Sequence, residues 1–298
     1  MQNVHAGHAA IPAIGFGTYG MNGDDIYRMI PAALRAGFRH IDTGQIYRNE
    51  AEIGDCVAAS GIPRSEVFLT TKVWVSNYAA RYFDASVNES LRKLRTDYID
   101  LLLLHWPGGS EVPLAEQIAE LNAVVRAGKV RHIGVSNFNR TQMTEAIRLS
   151  AAPLVTNQFE YHPYLNQSLL IESTREAGLA VTGYCGMAVG RVFSDQTLKE
   201  IAARYDRTIA QIVLRWLVQQ HGIVALSRTT RIDRLVQNIA VFDFELDDAD
   251  MAAIHALASA GSRIVNPPGL APQWDNAQAL DQQISGDRVL RNKGERLT

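Results

Sequence analysis

The chain alternates short, nearly continuous apolar runs with longer amphipathic stretches. The apolar runs predict strands over residues 38–43, 66–72, 99–105, 130–135, 154–159, 180–184 and 223–226. Runs without polar alternation are what strands show when both sheet faces are covered. Between them, apolar positions recur at helical spacing. They predict helices over 24–36, 49–60, 79–94, 114–127, 140–149, 167–177, 197–205 and 209–220, another from Asp233, and a last one over 247–258. In the first of these, Asp24 or Asp25 reads as the cap and Gly37 as the terminator, and Pro31 should kink the helix or mark its start. In the third, Ala85, Asn88, Leu91 and Leu94 form the inward stripe, with Val87 beside it.

The stretch before the first of these helices, IPAIGFGTYG, places Gly15, Gly17 and Gly20 in the spacing GxGxxG, with Asp42 further on. Taken literally this is a dinucleotide fingerprint. The context is wrong for it, because the preceding run is short and contains Pro12, and Met21-Asn22-Gly23 separate the glycines from the helix. A glycine-rich strand whose backbone must approach something closely fits better. Counting it as a strand, strand-then-helix recurs eight times, and with no low-complexity linker the expectation is one α/β domain, a (β/α)8 TIM barrel with extra C-terminal helices. The barrel should occupy residues 1–275, leaving a polar tail, 276–298, without an assigned role.

Composition narrows the function. The 298-residue chain carries 29 basic and 31 acidic residues and a formal charge of −2, which gives no ground for a nucleic-acid or membrane-surface partner. Cys56 and Cys185 are isolated, which fits a reducing compartment and offers no metal site. The N-terminus lacks a basic segment followed by an apolar core, so a cytoplasmic protein is expected. Oligomeric state is open, with the monomer as default.

Three consecutive predicted strands end in Asp42, Lys72 and His105, and Tyr47 follows the first of them. On its own, the Asp42–Tyr47 segment reads equally as a helix cap and a surface tyrosine. In a parallel barrel all strands end on one face, so these four groups should converge there. A phenol of pKa ~10 is a weak donor at neutral pH. An ammonium ~4 Å away at an effective dielectric of ~20 attracts the phenolate by about 4 kcal/mol before desolvation, and half of that lowers the phenol's pKa by about one to two pH units. Asp42 would keep the buried Lys72 charged. His105 could bond the oxygen that Tyr47 protonates, an arrangement suited to hydride addition at a carbonyl. The competing readings are a solvated Lys72 and a His105 packed in the core. His40 and His132 lie inside strands and read as structural, and His162 is not assigned.

With these residues in hand, the chain resembles the aldo-keto reductase family over about residues 11–275. The likeness runs through IPAIGFGTYG, GFRHIDTGQIYRNE, FLTTKVW, DLLLLHWP, GKVRHIGVSNF, NQFEYHPYL and SRTTRIDRLVQN. It implies NADPH extended across the C-terminal face and a catalytic tetrad of Asp42, Tyr47, Lys72 and His105, with Tyr47 as proton donor. It further implies that Ser136, Asn137 and Gln158 hold the nicotinamide carboxamide, that Tyr184 stacks on its ring, and that Thr18 and Tyr19 lie beside the cofactor. Arg228 and Thr229 would meet the 2′-phosphate, Arg234 the adenine face, and Gln237 and Asn238 its edge. A guanidinium with a hydroxyl suits a phosphate monoester, although a basic solvated loop would read the same way. Cys185-Gly186-Met187 departs from the family's Ser-Pro-Leu at the pyrophosphate loop.

Within the family the chain is similar to the bacterial 2,5-diketo-D-gluconate reductase B type, through QIYRNEAEIG, KLRTDYIDLLLLHWP and RIVNPPGLAPQWD. That implies 2,5-diketo-D-gluconate, methylglyoxal or keto-ester carbonyls as substrates. Tyr19, Trp74 and Trp106, with Tyr47 and His105, would line the substrate pocket, and the short loop 108–113 points to an open site. The alternative from another class is a non-catalytic NADP(H)-sensing regulator on the same barrel. A short-chain dehydrogenase is excluded, because none of the 10 tyrosines has Lys four residues later.

Overall fold

The computed structural model describes residues 2–275. The chain opens with an antiparallel hairpin of β1 (Asn3–Ala6) and β2 (Ala9–Pro12), turning at Gly7 with φ 56°. Eight parallel strands then close into the expected barrel: β3 (Ile14–Gly17), β4 (His40–Asp42), β5 (Phe68–Val73), β6 (Ile99–Leu104), β7 (Val130–Ser136), β8 (Leu154–Glu160), β9 (Ala180–Tyr184) and β10 (Ile223–Ser227). β10 pairs with both β9 and β3, so the sheet has no edge. The helices between them are α1 (Gly23–Ala36), α2 (Glu50–Ala59), α3 (Ala80–Leu94), α4 (Leu114–Arg126), α5 (Arg140–Leu149), α6 (Ser168–Glu176), α7 (Gln196–Tyr205) and α8 (Ile209–Gln219). α9 (Asp233–Ile239) and α10 (Asp248–His255) follow, and the chain from Ser259 on runs over the barrel without regular structure. The tail 276–298 lies outside the described residues.

Several expectations need correction. Residues 11–20 are not one strand: Ile11 and Pro12 belong to the hairpin, and β3 starts at Ile14. Gly15 is bare because a Cβ there would lie 2.7 Å from both the His40 ring and the Leu226 side chain, so it serves packing and not a phosphate loop. α1 is capped by Asn22, whose side chain accepts from the Asp25 N–H at 2.9 Å, and it runs unbroken through Pro31. Gly37 does terminate it, at φ 106°. In α3 the buried stripe is Phe83, Val87, Ser90 and Leu94, while Ala85 and Asn88 are exposed.

Positions facing the barrel interior change character from bottom to top. At the bottom, Ala6, Ala9 and Ile11 of the hairpin pack on Leu101, Leu103, Val155, Ala180 and Val224, closing the barrel with an apolar plug. In the middle, the His40 Nε2 pairs with the Thr70 hydroxyl at 2.9 Å. Two residues further along the same faces come Asp42 and Lys72, at the top. β8 carries one residue more than β7 between their paired positions, Ile133–Leu154 and Val135–Asn157. This bulge lets both Val155 below it and Gln158 above it face inward.

Candidate active site

The C-terminal rim brings the four predicted groups together. The Lys72 ammonium, 1% exposed, donates to Asp42 Oδ1 at 2.6 Å and to the Thr43 carbonyl at 2.7 Å. The second Asp42 oxygen accepts from the Gln158 amide at 2.8 Å, a bond reaching across the barrel from β8 to β4. The Tyr47 hydroxyl lies 3.5 Å from His105 Nε2, and the Lys72 nitrogen 5.0 Å from the Tyr47 ring centroid. Gly44 leaves room for this cluster: a Cβ there would sit 3.4 Å from both the Tyr47 ring and the His105 ring.

The electrostatics depart from expectation in one respect. Burial and the neighbouring Asp42 carboxylate hold the Tyr47 phenol well above 10, so the expected lowering by Lys72 is not found. The ammonium is committed to Asp42 and Thr43, and that carboxylate offsets it at the phenol. Burial also lowers Lys72 while the Asp42 contact opposes the loss of its charge. Burial, and secondarily the Lys72 charge, push His105 well below 6.5, which leaves a neutral imidazole at neutral pH. The resulting cluster is one ion pair, one imidazole and one phenol carrying its proton.

Local sequence explains how Tyr47 is held. It ends a short 3-10 turn, Gln45–Tyr47, whose first side chain clasps its surroundings. The Gln45 carbonyl accepts from the Trp74 N–H and the Asn77 amide, both at 2.9 Å, and its amide donates to the Ser86 and Ser90 hydroxyls. Asn49 ties the neighbouring loops together by accepting from the Thr43 hydroxyl at 2.8 Å and donating to the Thr18 and Met21 carbonyls. Neither residue stood out in the sequence, because a polar side chain in a loop has no periodic signature. Proximity to Asp42 and Tyr47 was the one available signal.

Around the mouth, Tyr19 is 70% exposed, with its ring 5.1 Å from that of Tyr47. Trp74 meets the His105 ring edge-on at 5.2 Å. Trp106 is 6% exposed and lies parallel to His105 at 6.4 Å, closed off from solvent more than an open wall would be. The site is also less open than the short loop 108–113 implied. The segment after α10 crosses the rim, with the Gly108 N–H donating to the Leu270 carbonyl at 3.1 Å. The Asn139 amide holds the Gln273 carbonyl, and the Arg140 N–H holds the Asp275 carboxylate, each at 2.9 Å. The anchor at the other end is Glu160. This buried carboxylate accepts from the Ile264 and Val265 N–H groups at 2.7 and 2.8 Å and pairs with His162 Nε2 at 2.9 Å, which gives His162 a structural place.

The residues expected at the cofactor form a second connected group. The Tyr184 hydroxyl donates to the Asn137 side-chain oxygen at 2.7 Å, and the Asn137 amide reaches the His105 carbonyl and the Ser136 hydroxyl. Ser136 in turn donates to the Gln158 carbonyl at 2.9 Å. Thr18 is bound through both its N–H and its hydroxyl to the Asp42 carbonyl. Cys185, Gly186 and Met187 lead from β9 into a loop with positive φ at Cys185, Ala188 and Val189, and burial raises the Cys185 thiol to about 11. Beyond β10, exposed Arg228 touches the Gly20 carbonyl at 3.3 Å, and Thr229 accepts from the Arg231 N–H. Arg234 lies 5.7 Å over the Phe193 ring, Gln237 is exposed, and Asn238 donates to the Ser227 hydroxyl at 3.0 Å.

A closed parallel barrel with this cluster at its C-terminal rim is the architecture of a carbonyl-reducing enzyme. Residues 13–259 match the aldo/keto reductase family, and the chain belongs to it. It is therefore an oxidoreductase. Methylglyoxal reductase DkgB of Escherichia coli O157:H7 is 39% identical over 268 residues, covering 89% of this chain and 100% of the relative. A solved structure provisionally named 2,5-diketo-D-gluconic acid reductase B is 58% identical, with TM-score 0.91, covering 93% of this chain and 98% of that one. A Bombyx mori aldo-keto reductase solved in complex with NADP is 31% identical, with TM-score 0.85, covering 93% and 100%.

Proposed function

We propose that the protein reduces small aldehydes and ketones of the 2,5-diketo-D-gluconate, methylglyoxal or keto-ester kind with NADPH, and that Tyr47 is the proton donor. The observation that carries this reading is the Tyr47 hydroxyl at 3.5 Å from a neutral His105, above the buried Lys72–Asp42 pair. The relatives named for methylglyoxal and for diketogluconic acid support the substrate class.

The chain's own residues fit a dinucleotide. Asn238 Oδ1 is buried with no partner among the described residues, an acceptor suited to an adenine amine. The Arg228 guanidinium, exposed and held by one long contact to Gly20, can turn to a 2′-phosphate. Ser136, Asn137 and Gln158 would hold the carboxamide, with Tyr184 beneath the ring. NADPH, when bound, supplies the hydride. As negative charge grows on the carbonyl oxygen, Tyr47 gives it a proton. An alkoxide is far more basic than a phenolate, so a phenol with a raised pKa still transfers its proton downhill. Lys72, its nitrogen 5.0 Å from the ring centre and kept charged by Asp42, lies beside the phenolate left behind. A His105 ring with its proton on Nε2 can donate to the same substrate oxygen, leaving Nδ1, which is buried without a partner among the described residues, as an unprotonated lone pair.

Steady-state assays with methylglyoxal and 2,5-diketo-D-gluconate, using NADPH and NADH in turn, test this reading. Turnover should favour NADPH, and Tyr47→Phe should lower kcat about 100- to 10,000-fold while NADPH still binds. Tight NADPH binding with no turnover across a wide panel of carbonyls would favour the sensing regulator instead.

A further inference from the structure

Three helices begin at an asparagine: α1 at Asn22, α2 at Asn49 and α5 at Asn139. Asparagine suits that position because its side-chain oxygen can accept from an N–H of the first turn. Asn22 accepts from the Asp25 N–H and Asn139 from the Gln142 N–H, each at 2.9 Å. Asn49 makes no such bond. It is 1% exposed, and its side chain turns to the rim instead. Oδ1 accepts from the Thr43 hydroxyl at 2.8 Å, and the amide donates to the Thr18 and Met21 carbonyls at 3.1 and 3.2 Å. These partners settle which way the amide points, since a carbonyl oxygen only accepts. Helix α2 thus starts without a side-chain cap, and departures of this kind from local preference concentrate at functional sites.

Two of the residues it grips lie one bond from the buried ion pair. The Thr43 carbonyl accepts from the Lys72 ammonium at 2.7 Å, and the Thr43 N–H donates to the Thr70 carbonyl at 2.8 Å. Thr18 donates to the Asp42 carbonyl through both its N–H and its hydroxyl, at 3.1 and 2.9 Å. Asn49 therefore reaches the ammonium through Thr43 and the Asp42 backbone through Thr18. It also stands two residues beyond Tyr47. Arg48, between them, is held at φ 58°, a left-handed conformation that is costly for a residue with a side chain and persists only where its neighbours are fixed. On the facing loop, Thr18 and Met21 bracket Tyr19, whose ring meets that of Tyr47 at 5.1 Å.

Resting on the reductase reading above, we propose that Asn49 is a positioning residue for proton transfer: through Thr43 and Thr18 it holds the loop bearing Tyr47 and the Lys72–Asp42 pair at one fixed spacing. It touches neither substrate nor cofactor. Its contribution is geometric, and a small displacement of a proton donor is enough to slow the chemical step severely.

The test compares Asn49→Ser and Asn49→Ala with the unmutated protein. A serine hydroxyl can cap a helix as asparagine does, but it is too short to reach Thr18 and Met21. Both variants should lose about 10- to 100-fold in kcat on methylglyoxal, by similar amounts. KM for NADPH and for the carbonyl should stay nearly unchanged, and the solvent deuterium isotope effect on kcat should grow as proton transfer becomes limiting. Loss of folded enzyme alone would move neither KM nor the isotope effect. A serine variant as active as the unmutated protein, an unchanged isotope effect, or failure of both variants to fold would make Asn49 a structural residue and overturn the proposal. Absence of turnover in the unmutated protein would count against the reductase reading, and hydrogen exchange then decides whether Asn49 holds the two loops. In Asn49→Ala the Met21 and Tyr47 amides should lose protection while the first turn of α2 keeps its own. Unchanged protection at Met21 and Tyr47 would overturn the proposal by itself.

Discussion

The two ends of the barrel are built from the same strands and are about equally buried, yet one is apolar and the other charged. At the bottom, the hairpin's Ala6, Ala9 and Ile11 meet Leu101, Leu103, Val155, Ala180 and Val224. At the top, the inward positions are Asp42, Lys72 and Gln158, joined by short hydrogen bonds. Burying the first group is favourable without further help. Burying the second costs several kcal/mol per ion, of order, and is tolerated only because every charge has a fixed partner. Stability and chemistry are thus separated along the barrel axis, with His40 and Thr70 between them.

That separation can be broken from either end. Lys72→Met should have the largest effect, because it strands the buried Asp42 carboxylate: we expect a loss of about 3–5 kcal/mol in urea unfolding together with loss of carbonyl reduction. Ile11→Ala should cost about 2–4 kcal/mol by opening a cavity in the plug. At temperatures where the variant is folded, its kcat should match that of the unmutated protein, and a fall in kcat would mean the two ends are coupled. The smallest effect belongs to the layer between. Burial holds His40 at about 4, against 6.5 for the ordinary imidazole. Below pH 6.5 the unfolded chain takes up a proton that the folded protein refuses until about pH 4, so stability should fall as pH drops through that window. The fall should be about 2 kcal/mol between about pH 7 and pH 5. His40→Asn should remove that part of the slope in pH-dependent melting.

The strand ends were readable in the sequence because an apolar run closed by Asp, Lys or His is a local signal. Their convergence followed from topology alone, since parallel strands in a barrel all end on one face. The hairpin was not readable. Its strands are four residues each, and a plug of alanines and one isoleucine shows no alternation long enough to register. The α3 stripe was misphased because the buried turn uses Ser90, a polar residue, where hydrophobicity was expected. The segment anchored by Glu160 has no periodicity at all, and its hold on the rim depends on side-chain bonds between positions about a hundred apart. The direction of the Tyr47 shift was missed for a related reason. Pairwise attraction to Lys72 can be guessed from residue types, but the desolvation and the Asp42 carboxylate that outweigh it require coordinates.

The extra residue in β8 is also a reserve of length. It makes three steps of β8 match two of β7, so removing it would bring the strands back into even register and leave Gln158 facing inward toward Asp42. Every substitution considered above alters one group and leaves its neighbours in place. A single deletion between Leu154 and Asn157 would cancel the bulge yet keep the inside and outside of the strand as they are, so this short stretch is where β8 should best tolerate a change of length.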